Sequence, residues 1–304
     1  MSNLTLKFAF VTDKQSIDID FDMPLLLDAA KEMSLYVDVC EWDDASIDWS
    51  RYTCIVLRSP WDYTNRLEKF LEWSRHISDV SRLVNPLNVV EWNVDKRYLQ
   101  DLSSQGVFVV PTQSFPCSLN PYTVLESFFA EKPDILHFVI KPTIGAYSKD
   151  VKCFASDNRS EAISHIQTLF LNGQNVMIQP YLASIDTAGE TDLILLNGKY
   201  SHAIRKKALL DKDGTVNTPR FEFRSLRQAK SDEIQVADNA VRSVSKILQL
   251  EKSLLYARVD MVREQSGRPI VLELEITEPS LSMPFFPQSA ATFINLLQER
   301  IISL

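Results

Sequence analysis

Apolar positions along residues 5–86 follow two rhythms in turn. Leu6–Val11, Leu35–Cys40 and Thr53–Leu57 are short apolar runs of strand length. Between and after them, Pro24–Met33 and Thr64–Ile77 carry apolar residues at helical spacing, as in Leu67, Phe70, Leu71 and Ile77, and Pro24 occupies a first helical turn. Alternation of strand and helix implies an open, largely parallel sheet. Asn85-Pro86 punctuates its end.

From Leu87 to Gln179 the pattern predicts helices over Asp95–Ser103, Pro121–Lys132 and Ser160–Leu171. Strands are predicted over Val107–Val110, Phe138–Lys141, Val151–Ala155 and Val176–Gln179. Asn172-Gly173 reads as a helix C-cap. Beyond Pro180, the turn dipeptide Asn197-Gly198 joins Leu193–Leu196 to Lys199–Ile204 as a hairpin. A strand near Phe221–Arg224, a long helix Asp232–Leu248, a second hairpin after Tyr256 and a terminal helix from about Ala290 complete the chain. This is a three-part α/β protein, divided as residues 1–86, 87–179 and 180–304.

Composition narrows the function. A chain of 304 residues exceeds one typical core. Lys+Arg 32 against Asp+Glu 40 gives −8, which argues against nucleic acid or an anionic membrane as the main partner. No apolar run approaches the length of a membrane span, and the first residues lack a secretory signal. Cys40, Cys54, Cys117 and Cys153 show no C-x-x-C spacing and the four histidines form no zinc pattern, so a reducing cytoplasm is the expected location. With 7 glycines and neither G-x-G-x-x-G nor G-x-x-x-x-G-K-[ST], phosphates would have to be held by lysine, arginine and metal.

The chemistry concentrates in Tyr256–Pro279. Two apolar strands flank a turn at Gly267, with Asp260 on the first and Glu273 and Glu275 on one face of the second. Like charges side by side on a sheet repel unless a cation lies between them, and three carboxylates suit Mg²⁺. Acidic residues on a hairpin's solvent face are the ordinary alternative. Lys141 ends the apolar run F-V-I-K-P, where its ammonium can enter a cleft toward phosphate or simply snorkel to solvent. Pro180 breaks the strand V-M-I-Q-P-Y-L, freeing backbone groups that can read an adenine edge.

The order N-x-D-K-R-Y-L, V-I-K-P, I-Q-P-Y-L, A-R-V-D, L-E-L-E-I resembles the ATP-grasp superfamily over roughly Lys96 to Pro279. The resemblance implies an ATP-grasp fold, with an N-terminal open parallel-sheet domain ahead of two α+β subdomains that clamp the nucleotide. It implies phosphate contacts from Lys96 and Lys141, an adenine hinge at Gln179, Pro180, Tyr181 and Leu182, and a nucleotide contact from Asp186. Asp260, Glu273 and Glu275 become ligands for two Mg²⁺ ions, or Mn²⁺ in their place, and Arg258 lies by the transferred phosphate. Two features depart from the pattern: Glu275 stands where the family has asparagine, and the loop after Lys141 has a single glycine, Gly145. R-S-P-W-D-Y, W-N-V-D-K-R-Y-L, Y-S-H-A-I-R-K and E-L-E-I-T-E-P-S are similar to the branch that contains O-ureido-D-serine cyclo-ligase.

Arg58, Trp61 and Tyr63 follow the third strand at a carboxyl end, where open α/β sheets place ligands. Arg58 can pair a substrate carboxylate, with Trp61 and Tyr63 walling the pocket; alternatively Asp62 caps the next helix and Trp61 packs beneath it. Alternation puts His202, Ile204 and Lys206 on one strand face and Arg205 on the other, and Arg205 is the preferred second phosphate contact. The expected activity is an ADP-forming ligase acting on a small amino-acid-like carboxylate and an amine. A non-catalytic ATP-binding regulator and a small-molecule kinase are the alternatives.

Overall fold

The computed structural model describes residues 6–146, 148–207 and 223–302. The first unit contains β1 (Lys7–Thr12), α1 (Met23–Glu32), β2 (Tyr36–Glu41), β3 (Cys54–Ser59), α2 (Leu67–Val80) and β4 (Leu83–Val84). Its strands pair in the order β2-β1-β3-β4, all parallel. All six residues of β3 are buried, as expected for an inner strand covered on both faces. One cover is an aromatic cluster of Trp42, Trp49, Tyr52 and Phe70; the other is α1.

α3 (Leu87–Asn93) and α4 (Tyr98–Ser104) come next, before β5 (Gln113–Phe115), α5 (Pro121–Glu131), β6 (His137–Pro142), β7 (Lys152–Ala155), α6 (Arg159–Leu171) and β8 (Val176–Pro180). The strands form an antiparallel sheet, β5-β8-β6-β7, whose core with α5 and α6 centres on Phe128, Phe138 and Ile166. The strand expected over Val107–Val110 is a single bridge, Val109 to Val271, because this stretch runs along the edge of another sheet.

That sheet has five strands. After α7 (Ser184–Ala188) come β9 (Glu190–Leu196), β10 (Lys199–Lys206), β11 (Arg224–Arg227), α8 (Ser231–Ile247), β12 (Tyr256–Arg263), β13 (Pro269–Glu275) and α9 (Gln288–Ile302). Their order is β11-β10-β9-β12-β13, antiparallel throughout. Asn197 and Gly198 both have positive φ, the conformation a two-residue hairpin turn demands. The strand expected near Phe221–Arg224 begins at Arg224; residues 221 and 222 lie outside the described residues.

Alternation along these strands sorts the two faces. Leu193, Leu195, Ala257, Val259 and Met261 face α8 and α4 in one core. On the opposite face, Ile194, Leu196, Ile204 and Tyr256 pack under α9 and against the first unit. Further along that same face the residues become charged: Glu190, Asp192, Lys206, Arg258 and Asp260. The apolar half anchors the sheet and the charged half faces a cleft. Asn85 and Asn93 fasten the assembly, their side-chain amides bonding the backbones of Leu255, Tyr256, Leu274 and Ile276. No described helix is long and apolar enough to cross a membrane.

Candidate active site

A cleft of about 980 Å³ opens between the middle and third units, with the first unit at one end. Its floor is the charged half of the five-stranded sheet. Register places Asp260 opposite both Glu273 and Asp192, Arg258 opposite Glu275, and Lys206 opposite both Glu190 and Arg224. Directly opposed residues share a face, so Glu190 meets Lys206 and Glu275 meets Arg258, while Asp260 stands between two further carboxylates and draws its cations from diagonal positions. Arg258 grips Asp260 with two hydrogen bonds of 2.8 and 2.9 Å and reaches Glu275 at 2.5 Å. Lys206 lies 3.0 Å from Asp192 and 3.3 Å from each of Glu190 and Asp260.

Burial works against every one of these charges, and the pairing decides which survive. For Asp260, Arg258 and Lys206 outweigh burial and hold the carboxyl well below its ordinary range. For Glu275 burial wins and pushes the carboxyl up to about 8; it pushes Glu278 up to about 7 and Asp192 up to about 6. Among the described residues Glu190, Asp192 and Asp260 bring carboxylate oxygens within 4.8 Å of one another, and oxygen donors are the ligands Mg²⁺ prefers. The residues therefore fit a metal.

Lys96 and Lys141 enter from the side opposite the floor. The Lys96 ammonium bonds the Gly145 carbonyl at 2.7 Å and pairs with Glu273 at 3.0 Å. Burial disfavours its charge, but Glu273 raises it above the usual lysine value. Lys141 lies at the end of β6 and makes no ion pair among the described residues. Burial lowers its pKa, an electrostatic demand for an anion. The loop after it contributes Gly145, Ala146, Ser148 and Lys149 to the cleft, and Tyr147 lies outside the described residues.

Gln179, Pro180, Tyr181 and Leu182 line the cleft where β8 ends. Gln179 is fixed by a 2.7 Å bond to the Thr112 hydroxyl, and Asp186, on the exposed turn beyond, accepts from the Tyr181 hydroxyl. Asp186 is not among the cleft-lining residues.

Two expectations need correction. Arg58 has no exposed surface and does not reach the cleft. It bonds Asp22 at 3.3 Å and the Pro279 carbonyl at 3.2 Å, beneath the rings of Tyr256 and Phe293. Its place is structural, because the preceding strand is covered on both faces. Trp61 and Tyr63, from the same motif, do line the cleft, and the Trp61 indole donates to the Glu278 carbonyl. Arg205 is exposed and bonds the Thr187 carbonyl on the far side of the sheet. The inward cation is its neighbour Lys206, which shares the face of Ile204, the face that turns toward the cleft, whereas Arg205 shares the face of Ala203 that packs toward α8.

Sequence reasoning also passed over Glu190, Asp192, Arg224 and Glu278. The spacing Glu190-x-Asp192-x-Ile194 carried a signal, since it continues the parity of a buried residue. Gly189 holds this corner close: at its positive φ a Cβ would collide with the Lys206 carbonyl oxygen.

Comparison with known proteins bears on the family and the fold. Residues 8–85 match the family model of the D-cycloserine synthetase DcsG N-terminal domain. The cycloserine biosynthesis protein DcsG of Streptomyces lavendulae is 42% identical over 293 residues, 96% of this chain and 98% of that protein. The crystal structure of D-cycloserine synthetase DcsG superposes with a TM-score of 0.94 over 97% of this chain and 99% of its own, at 42% identity. D-alanyl-alanine synthetase A of Vibrio cholerae shares the fold at 10% identity, with a TM-score of 0.72 and 99% of each chain covered. Likeness of this extent in both sequence and fold settles the family: the chain belongs to the DcsG branch of the ATP-grasp ligases and is a carboxylate–amine ligase.

Proposed function

We propose that the cleft activates a small amino-acid-like carboxylate as an acyl phosphate at the expense of ATP, for capture by an amine. The observation that carries this reading is the single sheet face on which Arg258 and Lys206 stand among Asp260, Glu273 and Glu275. In the first step a substrate carboxylate oxygen bonds the terminal phosphorus and ADP departs. In the second, an amine nitrogen bonds the acyl carbon, phosphate departs and the nitrogen's proton passes to solvent. Negative charge builds on the transferred phosphoryl group and the leaving ADP, and fixed cations lower its energy without reorganising.

In this scheme Arg258 lies against the phosphoryl group, while Lys96 and Lys141 face the nucleotide phosphates from the opposite wall. Gln179–Leu182 border the adenine, and Asp260, Glu273 and Glu275 hold two Mg²⁺ ions. Bound metal supplies charge neutralisation on the phosphates. Trp61 and Tyr63 close the substrate end and limit water, which would hydrolyse an acyl phosphate. From the motifs similar to the O-ureido-D-serine cyclo-ligase branch, the substrate is taken as O-ureido-D-serine and the new bond as intramolecular.

The test is product analysis with ATP, Mg²⁺ and a panel of carboxylates that includes O-ureido-D-serine, each with and without an added amine. ADP, phosphate and a cyclic product from one carboxylate alone are expected. AMP and pyrophosphate would refute the acyl phosphate, and strict need for a second amine would refute ring closure.

A further inference from the structure

Resting on the ligase reading above, we propose that Glu278 receives the ammonium group of an amino-acid substrate, so that the nitrogen it holds is not the one that forms the new bond.

Glu278 lies three residues beyond Glu275, where the chain has left β13 and crosses to the first unit. Its side chain lines the substrate end of the cleft beside Trp61 and Tyr63. The backbone beneath is fixed from both directions. The Trp61 indole bonds the Glu278 carbonyl at 2.9 Å, Arg58 bonds the Pro279 carbonyl, and Arg258 bonds the Ser280 carbonyl at 3.0 Å. A carboxylate on such a mount presents its oxygens in one place.

The other cleft acids are already matched. Glu273 pairs with Lys96, Glu275 and Asp260 with Arg258, and Glu190 and Asp192 with Lys206. Glu278 makes no ion pair within 4 Å among the described residues; its side-chain partner is the Tyr63 hydroxyl. Tyr63 is itself buried and stacked on Phe70, with ring centroids 4.7 Å apart, so it is a rigid donor. One hydroxyl leaves most of a carboxylate's acceptor capacity unused. The charged groups that bear on Glu278 include Lys96, Glu273, Arg258 and Glu275, and neither cation forms an ion pair with it. Burial has pushed its carboxyl up to about 7, so an arriving cation would lock it in the charged form. A primary ammonium matches this position: compact, singly charged and rich in donors.

The chemistry follows from protonation. A nitrogen held as ammonium has no free lone pair and cannot attack the acyl carbon. The bond must form from a second, neutral nitrogen, which loses a proton to solvent as phosphate leaves, while the held ammonium keeps its own protons. Such an arrangement also prevents the activated substrate from condensing with itself through its own α-amine.

The experiment compares wild type with Glu278→Gln on O-ureido-D-serine and on its desamino counterpart, 3-(ureidooxy)propanoate, by ADP release. Loss of a charge-assisted contact should raise the KM for the amino compound roughly 10- to 100-fold. The KM values for ATP and for the desamino compound should stay unchanged. Tyr63→Phe, which keeps the ring that closes the substrate end, should raise the KM for the amino compound more than that for the desamino compound, and it carries the test if Glu278→Gln does not fold. An unchanged KM for the amino compound, or equal rises for both compounds, would overturn the proposal while leaving the ligase reading intact. Absence of ADP release by wild type on every carboxylate would overturn both.

Discussion

Replacing Asp22 by alanine tests the structural role assigned to the Arg58 motif. Asp22 and Arg58 have 1% and 0% of their side-chain surface exposed, so the pair is cut off from water. Asp22 also accepts the backbone N–H groups of Leu281 and Met283 at 2.5 and 2.7 Å, which fixes the loop beyond Glu278. Breaking a buried ion pair from one side costs about 3–5 kcal/mol, because the surviving charge is left without compensation. Each orphaned N–H adds about 1–3 kcal/mol where water cannot reach it. These overlap, and we expect Asp22→Ala to lose about 5 kcal/mol, a large fraction of a typical native stability of about 5–15 kcal/mol. Arg58→Met should cost less, since Asp22 keeps both backbone donors. In the double variant the losses should fall short of additivity, because each change removes a charge the other leaves stranded. Urea unfolding followed by tryptophan fluorescence and by far-ultraviolet circular dichroism measures all three. A loss below about 1 kcal/mol for Asp22→Ala, or strict additivity in the cycle, would refute the reasoning. So would an Arg58→Met enzyme of full stability whose only defect is a raised carboxylate KM.

Three further outcomes are expected. Lys141→Met removes a buried ammonium that lacks an ion pair among the described residues, and should weaken ATP binding roughly 10- to 100-fold by calorimetry; unchanged affinity would make it a strand-end lysine. Glu273→Gln takes a carboxylate from the metal set and strands Lys96, so the Mg²⁺ concentration for half-maximal rate should rise about 10-fold or more; an unchanged Mg²⁺ requirement would remove Glu273 from that set. His202 is buried against the Leu281 carbonyl and its pKa falls from 6.5 to about 4, chiefly by burial. The unfolded chain then binds the extra proton, so stability rises with pH from about 4 to 6.5 by up to about 3 kcal/mol. His202→Asn should flatten that part of the profile relative to wild type in urea midpoints taken across the range.

The elements themselves were largely legible in the sequence. Buried strands read as apolar runs, the Asn197-Gly198 hairpin as a turn dipeptide, and α8 as a long amphipathic stretch, because side-chain periodicity and turn chemistry are local properties. Asp260, Glu273 and Glu275 share a sheet face, as strand parity and the hairpin register require, but the carboxylates whose oxygens come within 4.8 Å of one another among the described residues are Glu190, Asp192 and Asp260. What parity cannot supply is which face of a strand is inside and what covers it. Arg205 and Lys206 are adjacent and chemically alike, and only the burial of Ile204 beneath α9 and the first unit decides that Lys206 points inward. Arg58 read as a substrate ligand because its strand ends at the ligand-bearing edge of a parallel sheet. The packing of α9 across that edge instead seals it, leaving Trp61 and Tyr63 to meet the cleft. Glu278 carried no local signal at all. Its role depends on the first unit, more than 200 residues earlier, bringing Trp61 and Tyr63 against it. Sequence alone determined most of the longer elements and the types of charge available, but not short ones such as β4, α3, β5 and α7. The tertiary structure decided which charges are buried together, since that follows from long-range packing and desolvation, which no stretch of the chain encodes by itself.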